Sequence, residues 1–431
     1  MFENFYSDLS YIIDKIDRST AIQLYQGALK VNTVISDKFL IKVIESLVFK
    51  YNKLQQNMLL NHMTFKLSAL DLEIIKDIPQ GGNYRDIPLN VVAKSKRLTN
   101  LVLTGGRTTL YGRLHYDKPS YTITTLINRP GNGTHVHPEL ERVLSVREAA
   151  RLQSFPDNFY FYGNKTQLLK QVGNAVPPLM SYVLACNIIE KVGCSNSLDL
   201  FCGAGGLTLG FKKAGIHSVC CTDIEESACI TLKVNNPELP IVCGDITDIS
   251  VKQNICNIAL QNNVDIICGG PPCQGFSLAG LRDKNDSRNQ LFRDFVDIVK
   301  IVTPKVIVFE NVVGLLSYNK GITYNEILEL FSGLGYNTCA RVLNAADYGV
   351  PQKRKRVIIL CVRKDIDVMV SDLYPTPLLS ELNYVDVKNS LFDLSCIPCS
   401  IESFYKSDFS SDYIKLMKEE ISFEDYITTL K

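Results

Sequence analysis

No run in this chain approaches the ~18–20 consecutive apolar residues of a membrane span. Its first residues, Met1-Phe2-Glu3-Asn4-Phe5-Tyr6-Ser7-Asp8, have neither the basic nor the apolar region of a signal peptide. Together these predict a cytoplasmic location and no membrane partner. Low-complexity tracts and internal repeats are missing too, so the 431 residues read as an ordinary folded chain of roughly two or three domains. The five histidines form no HExxH or similar cluster. Cys396-Ile397-Pro398-Cys399 is the one CxxC, with no second pair and no histidine near it in sequence, so no metal site is expected. The 14 cysteines are scattered, several within apolar runs, and no secretion signal precedes them; that pattern fits a reducing compartment, not a disulfide framework.

Net charge is +1, which neither favours nor excludes a polyanionic partner. Its distribution says more. Arg85–Arg151 holds 11 Lys/Arg against 5 Asp/Glu, and Ser371–Lys431 holds 5 against 11. A basic region of that size can contact phosphates, although many solvated surfaces are as unbalanced.

Along the chain, Leu9, Ile12, Ile13 and Ile16, then Leu40, Val43, Ile44 and Leu47, have helical spacing. From about Ile78 the texture changes to turns and short strands. Arg107 and Arg113 sit in Gly-Arg turns, and Pro119 to Thr125, which includes Thr122, reads as an extended run. Ser145 and Glu148 make a capping box, and Pro177-Pro178 open a helix that ends at Gly193. From Ser197 strands alternate with helices, which predicts an α/β fold with a doubly wound, mostly parallel sheet. Its strands end at Phe201, Asp223, Asp245, Cys273 and Glu310, all along one edge, where such sheets bind ligands.

That edge carries the chemistry. Cys202-Gly203-Ala204-Gly205-Gly206 is a glycine loop, although Thr208 stands where a dinucleotide fingerprint has its last glycine. Asp223 can accept hydrogen bonds from two ribose hydroxyls. Asp245 can receive an adenine amino group, with Ile246 packing on the ring. Gly269-Gly270-Pro271-Pro272-Cys273-Gln274-Gly275-Phe276-Ser277 presents one thiol on a rigid turn. A lone Pro-Cys is usually buried filler. Here a carboxyl, Glu310, ends a neighbouring strand, and Gln352-Lys353-Arg354-Lys355-Arg356 supplies cations. A thiolate beside a carboxyl that can protonate a ring nitrogen suits attack on an electron-poor pyrimidine.

These motifs resemble those of the DNA (cytosine-5)-methyltransferase family. Phe201–Gly206 resembles its S-adenosylmethionine loop, Pro271-Pro272-Cys273-Gln274 its nucleophile motif and Glu310-Asn311-Val312 its acid motif. Gln352–Arg356 resembles its Gln-x-Arg-x-Arg. Arg142–Glu148 and Gly173-Asn174-Ala175-Val176-Pro177-Pro178 resemble its last two motifs, which here precede the glycine loop, as in a circular permutation.

The resemblance implies a methyltransferase sheet with a smaller, mixed target-recognition domain. Residues 1–155 would read DNA, 156–196 would pack on the cofactor site, 197–370 would be catalytic, and the acidic 371–431 would complete the small domain. It implies catalytic roles for Cys273, Glu310, Arg356, Arg354, Pro272 and Asn311. S-adenosylmethionine would contact Phe201, Gly203, Gly205, Gly206, Asp223, Ile224, Asp245, Ile246 and Leu291, and Asn174 and Ala175 across the permuted joint. Gln274, Ser277, Arg288, Arg107, Arg113 and Thr122 would meet double-stranded DNA. The implied protein is a monomer in a restriction-modification system whose endonuclease acts separately. An RNA-directed member of the family and an inactive DNA-binding regulator are the alternatives. The long recognition region disfavours the first, and the intact Cys273 and Glu310 disfavour the second.

Overall fold

A computed structural model of the chain describes residues 37–271, 287–400, 403–405 and 407–431. The described residues fall into two compact units. The first takes its residues from Met1–Tyr51, Val176–Asn344 and Lys355–Pro377, the second from Asn52–Ala175, Ala345–Arg354 and Leu378–Lys431.

The first unit is built on a seven-stranded sheet of β1 (Asn196–Leu200), β2 (His217–Asp223), β3 (Ile241–Cys243), β4 (Ile266–Gly269), β5 (Val306–Val312), β6 (Tyr336–Asn344) and β7 (Lys355–Arg363). Their order is β3-β2-β1-β4-β5-β7-β6. The first five strands are parallel, while β7 runs antiparallel to both β5 and β6. Ile266-Ile267-Cys268 and Val306–Phe309 are buried throughout, as befits central strands covered on both faces. Around the sheet lie helices α1 (Asp37–Gln55), α2 (Pro178–Val192), α3 (Gly206–Lys213), α4 (Glu226–Asn235), α5 (Ile249–Gln261), α6 (Ser287–Val302) and α7 (Ile322–Gly333). Phe292, Phe295, Phe309 and Phe331 pack edge to face inside the core. The expected α/β sheet is therefore present, closed by the antiparallel pair β6 and β7.

The helical spacing at Leu40–Leu47 becomes α1; the earlier segment, Leu9–Ile16, lies outside the described residues. Lys42 Nζ bonds Glu226 at 2.8 Å and Lys50 Nζ bonds Asn235 at 2.9 Å, so α1 is fastened to α4 of the sheet unit.

The helix after Pro178, α2, packs on α3. The reason is a bare stripe at i, i+4 spacing on α3. A Cβ on Gly206 would stand 2.1 Å from the Val176 carbonyl oxygen. One on Gly210 would stand 2.0 Å from Ser181 Oγ and 2.3 Å from the Pro178 carbonyl oxygen. Only glycine at both positions lets the two backbones approach this closely. Ser181 Oγ also donates to the Gly206 carbonyl oxygen at 3.0 Å. Residues 165–192 are apolar enough by composition to cross a membrane, but they are mostly buried and divided between the helix Lys165–Asn174 and α2.

Beneath the glycine loop, Asp199 of β1 is fully buried. Its Oδ2 accepts a hydrogen bond from Thr208 Oγ1 of α3 at 2.6 Å, which ties the strand before the loop to the helix after it. Burial pushes this carboxyl up to about 7 against the opposing pull of the Thr208 bond.

The second unit is organised around buried arginines. Arg151 bonds Asp157 through Nε and Nη2 at 2.8 and 2.6 Å, and Asp393 through Nη1 at 2.6 Å. Arg147, also without exposed surface, donates to the carbonyls of Leu60, Pro156 and Phe159. The Ser145/Glu148 capping box forms as expected, and Arg142 grips Glu148 with two nitrogens.

Two predictions follow from the sheet unit. Gly210→Ala gains helix propensity of about 1 kcal/mol, but its methyl meets a backbone carbonyl that cannot rotate away. The expected net result is destabilisation by about 1–3 kcal/mol, read as a lower urea midpoint; an unchanged or higher midpoint contradicts the close approach. For Asp199, the folded chain keeps its proton up to about 7, whereas the unfolded chain releases it near 3.8. Stability is therefore fullest below 3.8 and declines as pH rises through about 7. Asp199→Asn, which keeps an acceptor for Thr208, should gain on the wild type across that window in urea titrations at a series of pH values. A difference independent of pH would show that Asp199 ionises normally.

Candidate active site

The parallel register sets the site. Leu200 of β1 pairs with Thr222 of β2 and with Gly269 of β4, and Gly269 pairs with Phe309 of β5. One residue further along each strand come Phe201, Asp223, Gly270 and Glu310. Four chemically distinct groups thus leave the sheet in one row, at the carboxyl edge where open α/β sheets bind ligands.

On the β1–β2 side the glycine loop turns sharply. Phe201 has φ +57°, an uncommon conformation for an aromatic residue, and Gly203 and Gly205 have φ +53° and +81°. Gly203 N donates to Asp223 Oδ2 at 2.8 Å, and Asp223 Oδ1 accepts the Glu225 N–H at 2.9 Å. Burial raises the Asp223 carboxyl above its ordinary range, opposed by these backbone donors. A Cβ on Gly203 would meet nothing within 4 Å, so the loop opens onto space. Ile224, the next residue, is 64% exposed, which is unusual for an isoleucine beside a core strand.

Asp245 is exposed, and its Oδ1 accepts both the N–H and the hydroxyl of Thr247. Ile246, expected against a ring, is instead 4% exposed within the core. Ile224 is the apolar side chain presented at the surface. Leu291 of α6 is half-buried against the core. Gly206 lies against Val176; Asn174 and Ala175, the two preceding residues, close the helix Lys165–Asn174 of the second unit.

On the β4–β5 side, Glu310 is held by Arg356 of β7, whose Nε lies 2.9 Å from Glu310 Oε1. The opposite oxygen, Oε2, would be 2.7 Å from a Cβ on Gly270, so the carboxyl lies directly against the segment that runs on to Cys273. Asn311 Nδ2 donates to the Pro271 carbonyl oxygen at 3.1 Å, and Asn311 Oδ1 accepts the Val312 N–H at 2.8 Å. Asn311 is thereby a strut between the acid's strand and the proline turn. Pro272, Cys273, Gln274 and Ser277 lie outside the described residues, and Arg288 falls in the first turn of α6.

The basic motif does not act as one exposed cluster. Gln352 and Arg354 are fully buried in the second unit, while Lys353 and Lys355 face outward. Gln352 accepts the Ile123 N–H and donates to the Leu152 carbonyl. Arg354 donates to the carbonyls of Ile123 and Gly173.

Arg113 requires correction as a DNA contact. It is 4% exposed, and its nitrogens donate to the carbonyls of Ile75, Ile78, His137 and Leu140. Its turn needed an internal cation to satisfy carbonyls, so it braces the unit. Arg107 is exposed in a surface run, and Thr122 Oγ1 donates to the Lys353 carbonyl at 3.1 Å. Sequence spacing did not single out Asp199, and marked Thr208 only as a departure from the glycine fingerprint, though an aspartate in an otherwise apolar strand beside a glycine loop was an available signal.

Among the described residues no group of three or more His, Cys, Asp or Glu side chains could hold a metal ion. Cys399 does acquire a neighbour that the sequence did not place near it, His62, with Nε2 3.5 Å from Sγ.

Among proteins of known assignment, the Type II methyltransferase M1.HphI of Haemophilus parahaemolyticus is 43% identical over 210 residues, which cover 48% of this chain and 54% of that one. The Type II methyltransferase M.DdeI of Desulfomicrobium norvegicum is 40% identical over 205 residues, 47% of this chain and 49% of that one. The Type II methyltransferase M.BspRI of Lysinibacillus sphaericus is 35% identical over 293 residues, 59% and 66% respectively. The chain spans about half the length of the first two relatives. A prophage-encoded protein of E. coli, described as a candidate DNA modification methyltransferase, overlaps 51% of this chain and 63% of its own, at 31% identity and a TM-score of 0.42. The sequence profile of the C-5 cytosine-specific DNA methylase family matches residues 27–190 and 195–428, nearly the whole chain, and the chain belongs to that family.

Proposed function

We propose that the protein is a sequence-specific DNA (cytosine-5)-methyltransferase that uses S-adenosylmethionine as its methyl donor. The observation that carries this reading is the Glu310 carboxyl lying against Gly270 and strutted to Pro271 through Asn311, close in sequence to Cys273.

The residues on the β1–β2 side fit the donor. The open cradle at Gly203, the carboxylates of Asp223 and Asp245 and the exposed Ile224 match a nucleoside with ribose hydroxyls, an amino group and a flat ring. Phe201, Gly205, Gly206 and Leu291 would complete that wall. When bound, the donor supplies an electrophilic methyl group. Among the curated relatives, the Type II methyltransferases support a DNA substrate.

The target base is reached by flipping it out of the duplex. Cys273 thiolate adds to C6 of the cytosine. Glu310 hydrogen-bonds the Watson–Crick edge and delivers a proton to N3, so negative charge does not build up on the ring. C5, now the nucleophilic carbon of an enamine, takes the methyl group. The C5 proton leaves to water, the N3 proton returns to Glu310, and the Cys273 sulfur is expelled as thiolate. Arg356 holds Glu310 in place for this transfer, while Arg354 braces the second unit through the carbonyls of Ile123 and Gly173. Pro272 would support the thiol's reactivity, and Gln274, Ser277 and Arg288 would meet DNA. Arg107 and Thr122, with the exposed residues near them, form the DNA-reading surface.

The two matched segments of the family profile divide at residues 191–194, where the sequence order suggests a permuted joint. The division supports a circularly permuted chain. A separate endonuclease would be its biological counterpart, and the methylation itself needs only a monomer.

Trapping on DNA that carries 5-fluorocytosine tests the mechanism. A covalent adduct should form only with S-adenosylmethionine present and only when Cys273 is intact. Glu310→Gln should slow methyl transfer by about 10²-fold or more while the chain still binds DNA. Normal methyl transfer by Cys273→Ala would refute the covalent route. Transfer to tRNA in preference to duplex DNA would replace the DNA substrate with RNA.

A further inference from the structure

We propose that Cys243 and Cys229 form an oxidisable dithiol at the rim of the cofactor pocket, in which Cys243 is attacked first and Cys229 closes a disulfide beneath it. The two thiols meet at Asp223. Cys243 is the last residue of β3, is exposed, and is the register partner of Asp223. Cys229 sits on α4 with no exposed surface, and its Sγ lies 3.4 Å from the Asp223 carbonyl oxygen. The two thiols also interact electrostatically, each shifting the other's proton affinity. An accessible sulfur with a second sulfur directly behind it is the arrangement that lets a sulfenic acid be resolved inside one molecule.

Exposure assigns the roles: Cys243 reaches solvent and Cys229 does not. The neighbouring Cys229 thiol holds the Cys243 thiol below its usual range, against burial and the carboxylates of Glu226 and Asp223. The same interaction, then burial, pushes Cys229 up. The thiolate is the reactive form, so Cys243 reacts and Cys229 waits as the thiol. Several other described cysteines differ. Cys220, Cys268 and Cys361 have no exposed surface, and burial raises each of them. Cys202 has a thiol partner in Cys221, but there too burial raises it.

The oxidant is a hydroperoxide. Cys243 thiolate attacks the terminal peroxide oxygen, the O–O bond breaks, and an alcohol or water leaves after taking up a proton. The Cys229 sulfur then attacks the Cys243 sulfenic sulfur, the S–O bond breaks, and water leaves with the Cys229 proton. Two thiols have been oxidised and one peroxide reduced. The consequence for the pocket rests on the cofactor reading above. Gly244 N donates to the same Asp223 carbonyl at 3.0 Å. Drawing Cys243 toward α4 therefore disturbs Asp223 and the Gly244-Asp245 turn together, and cofactor affinity falls.

The test uses the full chain, reduced and then exposed to hydrogen peroxide, with free thiols alkylated and peptides mapped without reduction. A Cys229–Cys243 peptide is expected, with affinity for S-adenosylhomocysteine in calorimetry lowered by about tenfold or more and restored by dithiothreitol. In Cys229→Ala the Cys243 sulfenic acid should persist and react with dimedone. Oxidised Cys243→Ser should bind as the reduced wild type does. A map that finds Cys243 reduced while Cys273 is oxidised overturns the proposal, as does a disulfide that leaves affinity unchanged. If the reduced chain binds no cofactor, the cofactor reading fails instead, and the peptide map still decides whether the dithiol closes.

Discussion

Everything chemical in this chain depends on the alignment of four parallel strands. Because Thr222, Leu200, Gly269 and Phe309 stand in register across the sheet, the residues that follow them emerge side by side. A slip of one residue in any strand would turn its side chains to the opposite face. Asp223 would then lose Gly203, or Glu310 would leave Gly270. Close packing of buried strands fixes that register: Gly269 approaches so near the Leu200 carbonyl that a Cβ would stand 2.3 Å from it. Site and core are therefore one specification, and the polar groups are accurate because the apolar ones beneath them have one way to fit.

Much of this was legible in the sequence, because strand runs, glycine loops and capping boxes are local signals. The five parallel strands and the Ser145 cap depend on neighbours within a few residues. What failed to show depends on distant partners. Arg113 looked like a surface cation because its turn is glycine-rich, yet carbonyls from Ile75 to Leu140 converge on it. Arg354 looked like part of an exposed basic run, yet the pleat turns it inward between two outward lysines. Ile246 and Ile224 each follow a strand-end acid, and only the fold shows that the first is core and the second is surface. Residues 272–286, which include the predicted nucleophile, are outside the described residues, so Cys273 is still known from its motif alone.

The excess of basic residues between Arg85 and Arg151 also has two origins. Arg113, Arg147 and Arg151 are buried and Arg142 nearly so, each engaged with carbonyls or carboxylates of the second unit. Buried guanidinium groups are retained where several acceptors must be satisfied at once, which a planar five-donor group does better than any other side chain. A charge count over a segment thus mixes internal scaffolding with whatever faces a polyanion. Arg85, Arg107 and Arg129, by contrast, reach solvent.

The bare stripe on α3 has a consequence for how such a chain can be inherited. Val176, Pro178 and Ser181 meet Gly206 and Gly210 largely through backbone atoms, so the contact asks little of the identities of the side chains on α2. Only the short stretch after Val192 links that helix to β1 in the chain. A junction whose geometry is written in main chain can be covalent or not without altering what touches what. Gene rearrangements that move the start codon from one side of this helix pair to the other would leave the assembled surface the same, so the order of translation is free to drift while the order in space is not.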